Sequence, residues 1–173
     1  MVIAIFKGTN FLMIIEIKIL SLSEGVSKFQ AMKIGICSDH AGFECKGIVM
    51  SYLLNKGYDV VNFGTDSPES CDYPDYAHQL AQAVSAGEVE KGIAICGTGN
   101  GMAITLNHHK DIRAGLAWNV NLAHLVKEHN DANILVLPAR FISRRMAVMM
   151  VREWLLTEFA GGRHQRRIDK ITL

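Results

Sequence analysis

The sequence predicts an α/β fold, a three-layer αβα sandwich built on a five-stranded parallel sheet. From Met32 onward, short apolar segments rich in β-branched residues alternate with longer amphipathic segments. The short segments are apolar at successive positions, as in strands that are buried on both faces of a parallel sheet. Alternation of such strands with helices implies right-handed crossovers, which place helices on both faces of the sheet.

The elements follow one another in a regular order. The predicted strands span residues 33–37, 59–63, 92–96, 113–117 and 134–137, and the predicted helices span residues 43–55, 76–86, 102–108, 120–128 and 143–159. Gly57 and Gly87 follow the first two helices, where glycine is favoured because it adopts a positive φ. After Gly161-Gly162 the chain ends in a short helical tail. This order is typical of Rossmann-like and flavodoxin-like sheets, which bind ligands at the carboxyl ends of their strands.

Composition limits the classes of function. The chain has 173 residues, of which 49% are apolar, and a net charge of +1 from 18 basic and 17 acidic residues. Such a balance argues against a nucleic-acid or acidic-membrane binder, and no apolar run reaches the roughly 20 residues of a membrane-spanning helix. The cysteines lack the paired spacing of a zinc site, so we predict reduced thiols, a cytoplasmic location and no metal. They are Cys37, Cys45, Cys71 and Cys96.

Residues 1–31 are predicted to lie outside the domain, which spans residues 32–173. The segment is apolar but interrupted by Lys7, Glu16 and Lys18, and it lacks the basic start and small-residue cleavage site of a signal peptide. We expect either an appended extension of unassigned role or a true translation start at Met32.

Three motifs at the ends of predicted strands contain candidate catalytic or binding residues. The first is Asp39-His40, directly after the first strand. A carboxylate beside an imidazole can orient a substrate hydroxyl and contact an anion. The alternative for Asp39 is a structural one, in which its side chain caps the following helix by accepting free backbone N–H groups.

The second motif is Cys96-Gly97-Thr98-Gly99-Asn100-Gly101, after the third strand. Glycines at every second position let the backbone approach a ligand and direct several N–H groups at an anion. The motif is neither a dinucleotide fingerprint, because Met102 stands where the third glycine belongs, nor a P-loop. A helix N-terminus favours the thiolate form of a cysteine, so Cys96 is a candidate base or nucleophile. The alternative is an inert cysteine that ends a core strand.

The third motif, His129-Asn130, lies where the fourth helix gives way to the fifth strand. Histidine exchanges a proton near physiological pH, so His129 is a candidate acid or base. The alternative is a solvated histidine that complements the helix dipole. The remaining histidines considered share this alternative and have no motif to set against it, so they receive no role. They are His78, His108, His109 and His124.

Arginines supply candidate phosphate ligands, because a guanidinium group clamps phosphate oxygens in bidentate fashion. Arg140 follows the fifth strand. Arg163 and Arg167 are four residues apart and therefore share a face of the helical tail. Because the tail lies beyond the last core helix, it can reach a neighbouring subunit's site.

Taken together, five motifs resemble the type B ribose-5-phosphate isomerases, which share a family with the galactose-6-phosphate isomerase subunits. The resemblance covers residues 32–173 and implies a five-stranded parallel sheet, a homodimer or dimer of dimers, and a site built from two subunits. The motifs are Ser38-Asp39-His40-Ala41-Gly42, Asp72-Tyr73-Pro74, Cys96-Gly97-Thr98-Gly99-Asn100-Gly101, Glu128-His129-Asn130-Asp131-Ala132-Asn133 and Gly162-Arg163-His164-Gln165 followed by Arg167.

The resemblance also implies the residue roles. Cys96 matches the base that moves a proton between C1 and C2, and His129 matches the group that opens the furanose ring, assisted by Asp39. Backbone N–H groups would stabilise the enediolate, Thr98 and Asn130 would hold hydroxyls, and Tyr73 would line the pocket. The backbone groups belong to Gly97, Gly99, Asn100 and Gly101, and the matching phosphate-binding residues are His40, Arg140, Arg163 and Arg167. Some members instead use a glutamate just after the glycine loop, where this chain has Met102.

The implied activity is the interconversion of ribose 5-phosphate and ribulose 5-phosphate in the pentose phosphate pathway, with no cofactor. One alternative is a six-carbon substrate, galactose 6-phosphate or allose 6-phosphate. Another, of a different class, is a module that binds a phosphate or nucleotide without catalysis. The predicted partner is a small sugar phosphate, with no nucleic acid and no membrane.

Overall fold

The structure, a computed structural model, describes residues 31–171, so the predictions for residues 1–30 lie outside the described residues. The predicted α/β class is confirmed, because five parallel strands form one sheet in the order β2-β1-β3-β5-β4. The strands are β1 (Lys33–Ser38), β2 (Asp59–Asn62), β3 (Lys91–Cys96), β4 (Ala114–Leu116) and β5 (Ile134–Pro138).

Six helices accompany these strands. They are α1 (Phe43–Asn55), α2 (Tyr73–Ser85), α3 (Asn100–Asn107), α4 (Val120–Glu128), α5 (Arg144–Leu156) and α6 (Arg163–Ile168), and a 3₁₀ turn (His40–Gly42) precedes α1. The predicted bounds of α1 and α4 match those observed. No helix within residues 31–171 has both the length and the apolar character needed to cross a membrane.

Two helices begin earlier than predicted. Helix α2 begins at Tyr73 rather than residue 76, because Pro74 is accommodated in the first turn, where its missing N–H breaks no helical bond. Helix α3 begins at Asn100 rather than residue 102, because Gly99 turns into it with a φ of 79°. Helix α5 is shorter than predicted at both ends and stops at Leu156.

The direction of each crossover decides which face its helix covers. Right-handed connections place α1 and α4 on one face, because the chain moves the same way across the sheet from β1 to β2 and from β4 to β5. Helix α5 joins them there, and Trp154 is fully buried in that layer. Helices α2 and α3 cover the other face, where Leu80 and Met102 are fully buried.

This topology creates two chemically different edges. The chain leaves β1 towards β2 and returns to β3 on the other side, so a crevice opens between the carboxyl ends of β1 and β3. The helices run back against the strands, so the C-terminus of α4 lies at the amino edge of the sheet. There Asn133 carbonyl oxygen accepts a hydrogen bond from Gly92 N–H, near the start of β3.

Candidate active site

The crevice between β1 and β3 holds a cavity of about 210 Å³. It collects side chains and backbone from most of the motifs that the sequence analysis selected, although these are scattered over a hundred residues of chain. The lining residues are Asp39, His40, Ala41, Tyr73, Cys96, Gly97, Thr98, Gly101 and Arg140.

Asp39 combines the two interpretations that the sequence left open. Its Oδ1 accepts a hydrogen bond of 3.0 Å from Gly42 N–H, so the carboxylate caps the 3₁₀ turn. The side chain is nonetheless part of the cavity lining, and the residue is only 7% exposed. A capped carboxylate is held rigidly, and its second oxygen is available to a hydroxyl group in the cavity.

His40 is held by the backbone of a distant loop. Cys71 N–H lies 3.3 Å from His40 Nδ1 and donates a hydrogen bond to it. Because a backbone N–H can only donate, Nδ1 must present its lone pair, and the ring proton resides on Nε2. The imidazole therefore offers one N–H donor, as an anion site requires.

Cys96 is the last residue of β3, and its sulfur is wrapped by the glycine loop. Gly99 N–H donates a hydrogen bond of 3.1 Å to Cys96 Sγ, and the residue is 4% exposed. The N-terminus of α3 begins immediately after this contact. The sulfur therefore lies beside a backbone donor and the N-terminus of a helix.

Gly99→Ala is expected to destabilise the fold by about 1–2 kcal/mol, since a left-handed φ of 79° is unfavourable for alanine. An added Cβ would also crowd the Leu116 side chain. Gly47→Ala is the matched control: Gly47 is an exposed glycine inside α1 whose Cβ would meet nothing within 4 Å. We expect the control to stabilise the protein by about 0.5–1 kcal/mol in the same denaturant titration. Equal effects at the two positions would contradict this account.

Two contacts close the cavity around the loop. Arg140 crosses Gly97, so that a Cβ at Gly97 would lie 3.3 Å from the Arg140 Cδ and Nε atoms. Its backbone N–H also bonds the Gly97 carbonyl oxygen at 3.1 Å, which fixes the arginine to the glycine loop. On the opposite side the Tyr73 ring packs against Gly101. Both glycines thus serve a close approach, and the guanidinium group lies beside the thiol-bearing loop.

Lys46, which received no role from the sequence, anchors the loop that follows β2. This α1 side chain is almost fully buried, and its Nζ donates hydrogen bonds of 2.7 Å to Asn62 Oδ1 and to the Thr65 carbonyl oxygen. Burial lowers the pKa of Lys46, and the nearby Asp66 carboxylate opposes that shift. The apolar neighbours of Lys46 in this amphipathic helix do not indicate that the lysine is buried, so it was not predicted. It fixes the loop that follows β2.

The third motif lies elsewhere, which corrects its predicted place among the ligand-binding strand ends. His129 caps the C-terminus of α4, at the amino edge of the sheet, whereas Cys96 lies at the carboxyl edge. The His129 ring stacks on His164 of α6, with ring centroids 4.2 Å apart and planes inclined by 6°. The Asn130 carbonyl oxygen accepts a hydrogen bond from Arg113 Nε.

The two tail arginines also stand at this second location. Arg163 and Arg167 both belong to α6, and Arg163 Nε lies 3.3 Å from His164 Nε2. One chain therefore carries two partial sites, which we call the thiol half-site (Asp39, His40, Tyr73, 96–101 and Arg140) and the imidazole half-site (His129, Asn130, Arg163, His164 and Arg167).

An apolar groove of about 470 Å³ borders the thiol half-site. Its large side chains are unusually exposed for their type: Trp118 is 56% and Phe141 71% accessible. Thr98 and Asn100 of the glycine loop form part of the same groove. Exposed aromatic surface continuous with a functional loop is typical of a protein–protein interface.

Known proteins resemble the chain over this domain. The Ribose/Galactose Isomerase family model matches residues 34–171. Ribose-5-phosphate isomerase B of Escherichia coli K12 is 43% identical over 140 residues, which cover 81% of this chain and 94% of that protein.

Solved structures agree with the sequence match. A ribose 5-phosphate isomerase of Thermotoga maritima is 51% identical with a TM-score of 0.80, covering 81% of this chain and 97% of that one. Ribose-5-phosphate isomerase B of Mycoplasma genitalium, solved with bound ribulose-5-phosphate, is 38% identical with a TM-score of 0.79 and covers 82% and 95%. Since the family match spans nearly the whole described domain, the chain belongs to the Ribose/Galactose Isomerase family of sugar-phosphate isomerases.

Proposed function

We propose that this isomerase interconverts ribose 5-phosphate and ribulose 5-phosphate through an enediolate, with Cys96 as the base. The observation that supports the proposal most strongly is the contact of 3.1 Å between Gly99 N–H and Cys96 Sγ. It lies at the cavity between β1 and β3. It places a thiol and a loop of backbone donors around one small space. The relatives named as ribose-5-phosphate isomerases and the ribulose-5-phosphate bound to one of them support this substrate.

The chemistry requires proton removal next to a carbonyl group. The Cys96 thiolate takes the proton from C2 of the open aldose, and electrons move onto the carbonyl oxygen O1. The proton of the O2 hydroxyl passes to O1, and the thiol returns its proton to C1 as the C2–O2 double bond forms. The oxyanion that develops is stabilised by fixed N–H groups of residues 97–101, each worth roughly 3 kcal/mol when well aimed. Thr98 and Asp39 line the same cavity, which supports a role for them in holding the sugar hydroxyls.

The phosphate contributes binding energy remote from the reacting carbons, which can position C1 and C2 against the sulfur. His40 offers an N–H donor and Arg140 a guanidinium group in the thiol half-site. In this proposal Arg163 and Arg167 complete the phosphate site from a second copy of the chain.

A second copy is also needed for ring opening. His129 lies on the edge of the sheet opposite Cys96, so one chain cannot bring both groups to the same sugar. In a symmetric dimer each imidazole half-site can meet the partner's thiol half-site, and two equivalent sites result. The exposed groove around Trp118 and Phe141, which borders the glycine loop, supports an interface at this place.

Comparison of kcat/KM for five- and six-carbon aldose phosphates tests the substrate. We expect ribose 5-phosphate to be favoured over allose 6-phosphate and galactose 6-phosphate by at least about tenfold, since a pocket contact mismatched by one carbon unit costs about 1–3 kcal/mol. A six-carbon preference would reassign the substrate. If the protein showed neither turnover nor solvent deuterium incorporation at C1 or C2, we would conclude that it is a phosphate-binding module without catalysis.

A further inference from the structure

Behind His129 runs a connected series of acids and imidazoles, which we call the acid–imidazole row: Glu153, His124, Glu128 and His129. His124 Nδ1 lies 2.9 Å from Glu153 Oε1, and His124 Nε2 lies 3.6 Å from Glu128 Oε2. The same Glu128 oxygen is 3.1 Å from His129 Nε2. The row therefore links α5 to α4 and ends on the imidazole that the proposed function uses for ring opening.

Proton positions in the row follow from its acceptors. The Glu153 carboxylate can only accept, so His124 Nδ1 donates to it. Thr157 Oγ1, 3.1 Å from the same nitrogen, gives its own hydrogen to the Glu153 carbonyl oxygen and so presents a lone pair to His124 as well. The ring of His124 is thereby fixed, and its Nε2 lies 3.6 Å from the Glu128 carboxylate, an ion-pair contact that requires a second ring proton on Nε2.

A neighbouring carboxylate also determines which nitrogen of His129 carries the proton. Glu128 Oε2 lies 3.1 Å from His129 Nε2 in a charge contact, and its negative charge favours the proton on that nitrogen. The other nitrogen, Nδ1, is then the atom that exchanges a proton with substrate. A carboxylate that contacts the distal nitrogen of an imidazole fixes both its tautomer and its orientation.

The ring face of His129 is held independently of its edge. It stacks on His164 at 4.2 Å, and Arg163 Nε donates to His164 Nε2 at 3.3 Å, so that nitrogen of His164 carries no proton. Burial, together with the neighbouring His129 and the cationic Arg163 and Arg167, lowers the pKa of His164, which agrees with this assignment. An uncharged ring covers one face of His129, while Glu128 holds its edge.

We propose that Glu128 is a positioning residue for ring opening, which orients His129 with Nδ1 towards the sugar, and that His124, backed by Glu153, fixes Glu128 in turn. This inference rests on the proposed function, because it assumes that His129 opens the furanose ring. Neither Glu128 nor His124 received a role from the sequence.

In the proposed ring opening, one nitrogen of His129 takes up a proton from the sugar and then returns it. His129 Nδ1 takes the proton of the O1 hydroxyl as the C1–O1 double bond forms and the C1–O4 bond breaks. The same proton then passes from Nδ1 to O4, which leaves as the 4-hydroxyl group. Nothing is oxidised or reduced, and Nε2–H remains on Glu128 throughout.

Two reactions of one enzyme separate ring opening from isomerisation. Ribose 5-phosphate is a furanose and must be opened, whereas ribulose 5-phosphate cannot form a ring because its O5 carries the phosphate. Exchange of the C1 hydrogen of ribulose 5-phosphate in D₂O therefore needs Cys96 but not ring opening. Conversion of ribose 5-phosphate needs both.

Glu128→Leu is expected to lower kcat for ribose 5-phosphate by roughly 10- to 100-fold, the range for groups that orient an imidazole from behind. Deuterium exchange at C1 of ribulose 5-phosphate should keep its wild-type rate. Glu128→Gln should retain most of the kcat, because the amide oxygen still presents a lone pair to the same nitrogen. Glu158→Leu is the matched control: it removes an exposed carboxylate that lies just beyond α5, and both rates should match the wild type.

Equal losses of both rates in Glu128→Leu would mean a merely structural role and overturn the inference, as would an unchanged kcat. His129→Ala separates this inference from the proposed function. A large loss of kcat in His129→Ala beside a normal Glu128→Leu overturns only the role of Glu128. A normal kcat in His129→Ala overturns the ring-opening assignment itself, and the positioning role with it.

Discussion

Cys96→Ala is expected to reduce kcat for ribose 5-phosphate by about 10²–10⁴-fold, the usual contribution of a positioned base. The sulfur is the group at the cavity that Gly99 N–H stabilises as an anion, and alanine cannot accept a proton. The same variant should lose C1 deuterium exchange in ribulose 5-phosphate, because that exchange requires the base. Steady-state kinetics and proton NMR in D₂O measure the two losses.

Folding and substrate binding should survive the substitution, since the proposed phosphate contacts lie at other residues and alanine fits the end of a buried strand. Thermal unfolding and isothermal titration with ribose 5-phosphate check this. Cys45→Ala is the matched control, because Cys45 is also a buried thiol, but it packs in the layer of α1 and α5 and burial raises its pKa to about 11. Wild-type exchange in Cys96→Ala would refute the assignment of the base, whereas a loss in Cys45→Ala would point to damage of the core.

The fold was predictable where the physical cause is local. Continuous apolar runs identified β1, β3 and β5, because a parallel strand buried on both faces has no polar side to show. The edge strands β2 and β4 are only partly buried, and their place in the alternation of strands and helices identified them. The strand order was not predictable in this way. The observed order exchanges the last two strands relative to the flavodoxin order 2-1-3-4-5, and nothing in β4 or β5 alone marks which of them sits beside β3.

The candidate site was likewise predictable only where the cause is local. Asp39 and Cys96 were found because Asp39 directly follows β1 and Cys96 ends β3, and the carboxyl ends of parallel strands share an edge. The motif around His129 precedes a strand, so the running direction of α4 carries it to the other edge. His124 was considered but given no role, and Lys46 was missed, because their partners, Glu153 and Thr65, are distant in sequence and only the tertiary structure brings them together.

Mixing two inactive variants is expected to restore activity if each site is built from two chains. In a hybrid of Cys96→Ala with His129→Ala, one site carries both substitutions and the other carries neither. Random pairing makes half of the dimers hybrids with one intact site each, so activity should recover to about a quarter of the wild-type value. The measurement is ribose 5-phosphate turnover after the two variants are unfolded together and refolded, against each variant refolded alone.

The arithmetic depends on the separation of the half-sites within one chain. If Cys96 and His129 of the same chain served one site, every site in a hybrid would carry one substitution, and mixing would restore nothing. A mixture of Cys96→Ala with Asp39→Ala is the matched control, because both residues belong to the thiol half-site and lie in one cavity. That mixture has one altered residue in every site, so it should stay as inactive as its components. Recovery of activity in the control mixture would contradict a site shared between two copies, and so would a lack of recovery in the first mixture. In a shared site, the residues that different chains supply are those on opposite edges of the sheet.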